Sequence, residues 1–292
     1  MKYKLVHKTE YDYPELVTGY QSLLCLVPRS LPNQHCEDFK LEIEPAPSDI
    51  SERNDFYGNT THYFSLNRPH RKLTVTATSI VSRGSSTIGS AVPISQITCA
   101  DARQLIKQDR ALRIGLLEFM LISPMVKWDQ EIFDFAKDCF PENGSLYECV
   151  TQLSQKIFSV FDFVPHFTTV NTPIKEVLYT KKGVCQDFSH LAIACIRSMG
   201  FPARYVSGYL ETVPPIGVLK LQGSDASHAW ISVFIPDQGW CDFDPTNNLV
   251  PGERHIVTAW GRDYSDVPPM KGIIFSSGKQ ALTVKVDVIP LE

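Results

Sequence analysis

Apolar and polar positions recur along this chain with two different periods, and the change of period divides it. Over residues 1 to about 83 the period is two. Tyr3, Leu5 and His7 alternate with Lys4, Val6 and Lys8. Leu41, Ile43 and Pro45 alternate with Lys40, Glu42 and Glu44, and Leu73, Val75 and Ala77 with Lys72, Thr74 and Thr76. A strand with one face on a core shows this alternation. Turn signals stand between the runs at Pro32-Asn33, Pro47-Ser48-Asp49 and Gly58-Asn59. Short strands joined by regular turns predict a β-sandwich-like region. Asp55 and the Gly58-Asn59 pair read as turn chemistry.

The polar stretch Ser82 to Thr87 reads as a linker, which places a first domain at 1–84 and a second at 85–292. From Thr98 to Phe161 the period becomes helical. Thr98 and Asp101 offer N-cap chemistry, a second helix is expected over Glu131 to Cys139, and Ser145 can cap a third. Leu146, Val150, Leu153 and Ile157 form that third helix's apolar stripe. Cys185, Phe188, Ala192, Cys195 and Met199 recur at helical spacing, and Gly200-Phe201-Pro202 ends that run. Strands are expected at Ala203 to Leu210, Ala229 to Ile235 and Trp240 to Asp244, with strand-like segments in the tail at Gly272 to Ser276 and Ala281 to Ile289. Helices followed by antiparallel strands make the second region α+β.

Composition narrows the function classes. A chain of 292 residues with 43% hydrophobic content can bury a sizeable core. Its formal charge is −4, from 28 basic and 32 acidic residues, and there is no long basic run, so nucleic-acid binding has little electrostatic support. The eight cysteines form no CxxC pair, which suggests neither a zinc ribbon nor a redox motif. The longest apolar run, Ile114 to Val126, is broken by Glu118 and Pro124 and is too short to span a bilayer. The charged start lacks a signal-peptide core. A reduced, cytoplasmic protein without a membrane anchor is expected. No EF-hand pattern occurs, and no metal or other cofactor is expected.

Candidate chemistry gathers around three positions. Cys185 opens its helix, where unpaired backbone N–H groups and the positive end of the dipole favour the nucleophilic thiolate. His228 opens a strand and Asp244 ends the next one. A cysteine nucleophile needs a base, and the base needs a third group to fix its tautomer. Asp242 shares the strand parity of Asp244 and is its rival. His190 lies five residues beyond Cys185, about 140° around the helix axis, and cannot face the thiol. His166 reads as a loop residue, and one ligand from each distant motif fits a triad better than zinc-site spacing. Hairpin register decides whether His228 and Asp244 can meet. A two-residue loop would put them on opposite faces. A three-residue loop, Pro236 to Gln238, makes Ile235 face Gly239 and Trp230 face Asp244, so His228 becomes a diagonal neighbour on the same face. That register, with Gly239 at positive φ, is the expectation.

Gly183-Val184-Cys185-Gln186-Asp187-Phe188, His228-Ala229-Trp230, Gly239-Trp240 and Asp244-Pro245-Thr246 together resemble the core motifs of the transglutaminase-like cysteine acyltransferases and proteases. Arg204 to Tyr209 matches that family's intervening strand, and Gly261-Arg262-Asp263-Tyr264 with Pro268-Pro269 resembles the tail of its bacterial branch. His7 to Tyr13 and Asp55 to Asn59 resemble the β domain that precedes the core there. The resemblance implies a papain-like α+β core and acyl transfer through a thioester, with Cys185 as nucleophile, His228 as base and then acid, and Asp244 rather than Asp242 as the orienting acid. Gln186, Tyr209 and Trp230 are candidate groove or supporting residues. A protein or peptide is the expected substrate. No acidic lysine-docking cluster is legible beside the motifs, which favours hydrolysis over cross-linking. A non-catalytic scaffold that retains the fold is the alternative from another class.

Overall fold

The computed structural model describes residues 1–84, 93–212, 226–275 and 280–291. Six strands come first: β1 (Lys2–Val17), β2 (Gly19–Leu24), β3 (Gln34–Glu44), β4 (Asp49–Asn54), β5 (Thr60–Leu66) and β6 (His70–Arg83). The period-two pattern has the expected consequence. Tyr3, Leu5, His7, Leu73, Val75 and Ala77 are all buried. Residues 82 and 83, expected to begin a linker, instead finish β6, and the rest of that linker, 85–87, lies outside the described residues.

The expected domain boundary needs correction at its far end. The tail forms β13 (Met270–Phe275) and β14 (Ala281–Leu291), and both strands return to the N-terminal region. The two sheets there run β14-β1-β6-β3 and β13-β2-β5-β4. Tyr13, Tyr20, Phe64, Leu66, Leu73 and Val75 meet between them, so this is a sandwich, built from residues 1–84, 270–275 and 281–291. The physical reason is the open edge of β1. Its partner β6 covers one side only, and β14 pairs the other from Lys2↔Leu291 to Asp12↔Ala281. Unpaired edges are costly, and pairing partners this remote leave no local signature in sequence.

The second unit carries helices α1 (Cys99–Gln108), α2 (Arg110–Leu116), α3 (Gln130–Ala136), α4 (Leu146–Val160), α5 (Ile174–Thr180) and α6 (Cys185–Ser198). Two-residue strands β7 (Asp162–Phe163) and β8 (Lys182–Gly183) flank α5 and pair in parallel. The N-caps follow expectation: Thr98 accepts from the Asp101 N–H and Ser145 from that of Glu148. The segment Glu131 to Cys139 is α3 followed by one 3₁₀ turn. Strands β9 (Ala203–Leu210), β10 (Ala226–Ile235), β11 (Gly239–Phe243) and β12 (His255–Gly261) form an antiparallel sheet in the order β11-β10-β9-β12. The apolar face of α6 lies on this sheet, with Leu191, Ala192 and Cys195 in one core with Ala203, Ala229, Ile231 and Val233. Arg197 fixes the far end of α6 by donating to the carbonyls of Leu121, Ala203 and Arg262 and to Ser123 Oγ.

The sandwich is joined to the edge of the second unit's four-stranded sheet by side chains that imitate a strand. The Gln34 amide donates to the Val257 carbonyl at 2.7 Å and accepts the Val257 N–H at 2.9 Å. The Asn59 amide does the same for Trp260, at 2.9 and 3.0 Å. Asp55 holds Asn59 in place, accepting from its N–H and its Nδ2. The turn reading of Asp55 and Asn59 therefore holds locally and omits their second task, which is to satisfy β12. Val257 and Gln34 are both buried, so neither Val257 group could turn to water instead. Gln34→Ala should cost roughly 1–3 kcal/mol, since it strands the buried Val257 N–H while the Val257 carbonyl keeps the Arg29 N–H at 3.0 Å. Urea unfolding measures this, and Gln34→Glu, which keeps the acceptor but sets a buried carboxylate against the Arg29 and Val257 carbonyls, should cost at least as much as Gln34→Ala.

Candidate active site

The nucleophile candidate sits where α6 begins. Gly183 precedes it because a Cβ there would lie 3.0 Å from the Asp187 side chain and 3.2 Å from Phe188. Asp187 is the third residue of the helix. Its Oδ2 accepts the Val184 N–H at 2.8 Å and the Thr168 hydroxyl at 2.6 Å. That is the reciprocal half of a capping box. Burial raises the Asp187 carboxyl above its ordinary value, and those two donors oppose the rise. The carboxylate is thus committed to the N-cap and to the loop that carries Thr168.

The β10–β11 hairpin has the expected register. Ile235 pairs with Gly239, Ile231 with Phe243, Pro236 to Gln238 form the loop, and Gly239 has φ +77°. Carried one residue past Ile231↔Phe243, that register sets Asp244 across from Trp230 and makes His228 its diagonal neighbour. Its Nε2 lies 2.7 Å from Asp244 Oδ2. Cys185 lies close enough to the same imidazole that its side chain helps raise the His228 pKa. With Nε2 committed to Asp244, Nδ1 is the nitrogen left for sulfur. Opposite His228 on β9 stands Gly208, where a Cβ would lie 2.1 Å from the Ile256 carbonyl oxygen and 2.6 Å from the Trp230 ring. No other residue fits between the two flanking strands there.

Asp244 is fully buried and closely held. Oδ1 accepts the N–H groups of Thr246 and Asn247 at 3.0 and 3.2 Å. Oδ2 accepts from His228, from Asn247 Nδ2 at 2.7 Å and from His255 Nε2 at 3.2 Å. Burial pushes its pKa up, but the hydrogen bonds of His228, His255 and Asn247 outweigh that and hold it well below the carboxylate range. Burial likewise disfavours a charged His228, while the Asp244 and Cys185 contacts overcome it and raise its pKa to about 10. The His228, Asp244 and His255 donor atoms lie within 4.8 Å of one another, a closeness that metal ligands also show. Here Asp244 already accepts five donors, so the arrangement is a hydrogen-bonded network rather than a ligand set.

The remaining candidates separate. Gln186 is half-buried in the first turn of α6 and donates to the Val170 carbonyl at 3.3 Å, beside the loop between β7 and α5. Tyr209 and Trp230 are interior and offer no groove wall. Tyr209 is 4% exposed, and its hydroxyl meets His7 Nδ1 of the sandwich at 2.9 Å. Trp230 has no exposed surface, donates Nε1 to Asp242 at 3.2 Å, and has the His228 and His255 rings 6.0 and 5.3 Å away. Asp242, the rival acid, is therefore occupied by Trp230 and not by His228. His190 is buried, accepts the Tyr264 N–H at 3.2 Å and is held neutral by burial, which lowers its pKa to about 4. His166 is exposed in the loop between β7 and α5. His255 and Asn247 were not singled out from the sequence. The β-branched run Ile256-Val257-Thr258 was the available signal for β12, and Asn247 adjoins the Asp244 motif.

A helix-borne cysteine, a strand-borne histidine and a carboxylate on the neighbouring strand define a papain-like α+β cysteine-enzyme fold. Two family models match: the bacterial transglutaminase-like N-terminal region over residues 3–82 and the transglutaminase-like superfamily over residues 134–245. The chain belongs to the transglutaminase-like superfamily, in the branch with that N-terminal region. It is 40% identical over 299 residues to the uncharacterized protein Rv2569c of Mycobacterium tuberculosis, covering 100% of this chain and 93% of that protein. It is 33% identical to the uncharacterized protein ML0607 of Mycobacterium leprae, covering 99% and 98%. The crystal structure of a candidate cysteine protease from Cytophaga hutchinsonii shares the fold, with a TM-score of 0.77 at 20% identity over 100% of this chain and 92% of that one. Among the described residues no helix is long and apolar enough to cross a membrane.

Replacing the carboxylate tests this electrostatic arrangement. In wild type the His228 imidazolium should persist past pH 9 by ring-nitrogen NMR. In Asp244→Asn its titration should move down by at least one unit, because burial then acts with less opposition.

Proposed function

We propose that this protein is a cysteine hydrolase that cleaves amide bonds in a protein or peptide substrate through a thioester. One observation carries the reading: the buried His228–Asp244 pair at 2.7 Å, with the Cys185 side chain acting on the same imidazole. Cys185 attacks the carbonyl carbon as a thiolate. The backbone N–H of Cys185, left without an intrahelical partner at the helix start, is placed to meet the developing oxyanion. His228 then gives its Nδ1 proton to the leaving amine or ammonia, and the thioester remains. Water, deprotonated by the now neutral His228, attacks the thioester carbon. The acid is released, sulfur leaves as thiolate, and His228 is again protonated. Asp244 keeps the imidazole in the Nε2–H form with Nδ1 toward sulfur throughout. Gln186 borders the substrate groove.

The eight cysteines are free, including Cys99 and Cys149, whose sulfurs lie 3.6 Å apart without a bond. That fits a reducing, cytoplasmic compartment. Water is favoured over an amine as acceptor because the described residues at the thiol present no acidic group free to dock a lysine: Asp187 and Asp244 are both hydrogen-bonded and buried.

Turnover of glutamine-containing peptides and of casein, followed by mass spectrometry, tests the assignment. Cys185→Ser should abolish acyl-enzyme formation, and His228→Ala should slow turnover by roughly 10²–10⁴-fold. With a labelled primary amine at millimolar concentration, hydrolysed product should dominate. Dominant amine incorporation would make the enzyme a transglutaminase, and an unreactive Cys185 would leave the scaffold reading.

A further inference from the structure

A second imidazole reaches the carboxylate that orients the first. His255 begins β12 and is 3% exposed. β10 and β12 both pair with β9, and Leu210 is the partner of Ala226 on one side and His255 on the other. The two strands therefore bring His228 and His255 to the same end of the sheet, with ring centroids 5.9 Å apart. Both rings present Nε2 to one oxygen, Asp244 Oδ2, at 2.7 and 3.2 Å.

We infer that His255 is a positioning residue that shares Asp244 with His228 and thereby sets how tightly His228 holds its proton. This rests on the catalytic reading of His228. An ionised carboxylate only accepts, so each Nε2 carries a hydrogen and donates it. One buried negative charge cannot support two imidazolium ions side by side. The groups facing His255 among the described residues are Asp244, Asp242 and His228, with the Trp230 ring edge-on to His255 and 6.0 Å from His228. Burial lowers the His255 pKa, Asp244 and Asp242 oppose that, and the charge on His228 adds to the lowering. His255 is thus the neutral donor of the pair. Its N–H draws on the same lone pairs that hold the His228 imidazolium, and so weakens that hold. A general acid that binds its proton too strongly cannot pass it to a leaving amine. His255 moderates the basicity that Asp244 confers.

The test uses His255→Phe, which keeps a ring and removes the donor, and His255→Gln, which keeps a donor. Ring-nitrogen NMR of His228 is the readout, with turnover and Cys185 alkylation measured on the same samples. In His255→Phe the His228 titration should rise by about one unit, a tenfold tighter hold on the proton. Turnover should fall more than alkylation does, and His255→Gln should return both toward wild type. An unchanged His228 titration in folded His255→Phe overturns the inference. So does a fall like that of Asp244→Asn, since His255 would then merely hold Asp244 in place. Should the Phe variant not fold, wild type alone decides: His255 must be a neutral Nε2–H tautomer between pH 6 and 9, and a cation or an Nδ1–H tautomer contradicts the sharing. If Cys185 forms no acyl-enzyme with any substrate, the catalytic reading fails, while the titrations still report whether the carboxylate is shared.

Discussion

A carboxylate cut off from water is tenable only when its lone pairs are filled, and the second unit of this protein is arranged to fill those of Asp244. Two backbone N–H groups come from the turn after β11, an amide from Asn247, and two imidazoles from β10 and β12. Each donor depends on a different part of the fold. The imidazole of β10 requires the three-residue hairpin, the imidazole of β12 requires β9 to pair on both sides, and the close approach of those strands requires Gly208. Loss of any of them would leave a buried negative charge short of a partner, an expensive state in a low-dielectric interior.

The sandwich takes part in this arrangement. β12 is the edge of the second unit's four-stranded sheet, and its outer backbone groups are satisfied by the Gln34 and Asn59 side chains. Tyr3, Leu5, Val286 and Val288 of the sandwich pack with Tyr209 and Ile256 in one small core. The His7–Tyr209 contact belongs to the same seam. The N-terminal unit is thus part of what keeps β12, and with it His255, in register.

Much of this was legible in the chain, for reasons that are local. Period-two burial located β1, β3 and β6, cap residues located α1, α4 and α6, and the parity of side chains along a hairpin decided the loop length that lets His228 reach Asp244. The combined Cys, His and Asp motifs indicated the family. What was illegible was long-range. The tail strands were foreseen, but their return to β1 and β2 was not, because pairing across more than 200 residues leaves no periodic trace. Tyr209 and Trp230 were candidates for a groove or for a supporting place, because a large aromatic beside a motif reads the same whether it faces a ligand or supports a histidine from behind. His255 went unnoticed for the same reason that it matters: its partner lies on a strand that is not its sequence neighbour.

The central claim is that one cysteine of the eight is activated by its place in the fold. Cys185 and Cys36 are the two that are not buried, so Cys36 is an internal control for access. Iodoacetamide labelling at pH 6.5, resolved residue by residue with mass spectrometry, measures the difference. The account predicts that Cys185 is alkylated at least tenfold faster than Cys36 and that the excess disappears in His228→Ala. Equal rates at the two cysteines in the wild-type protein would contradict it.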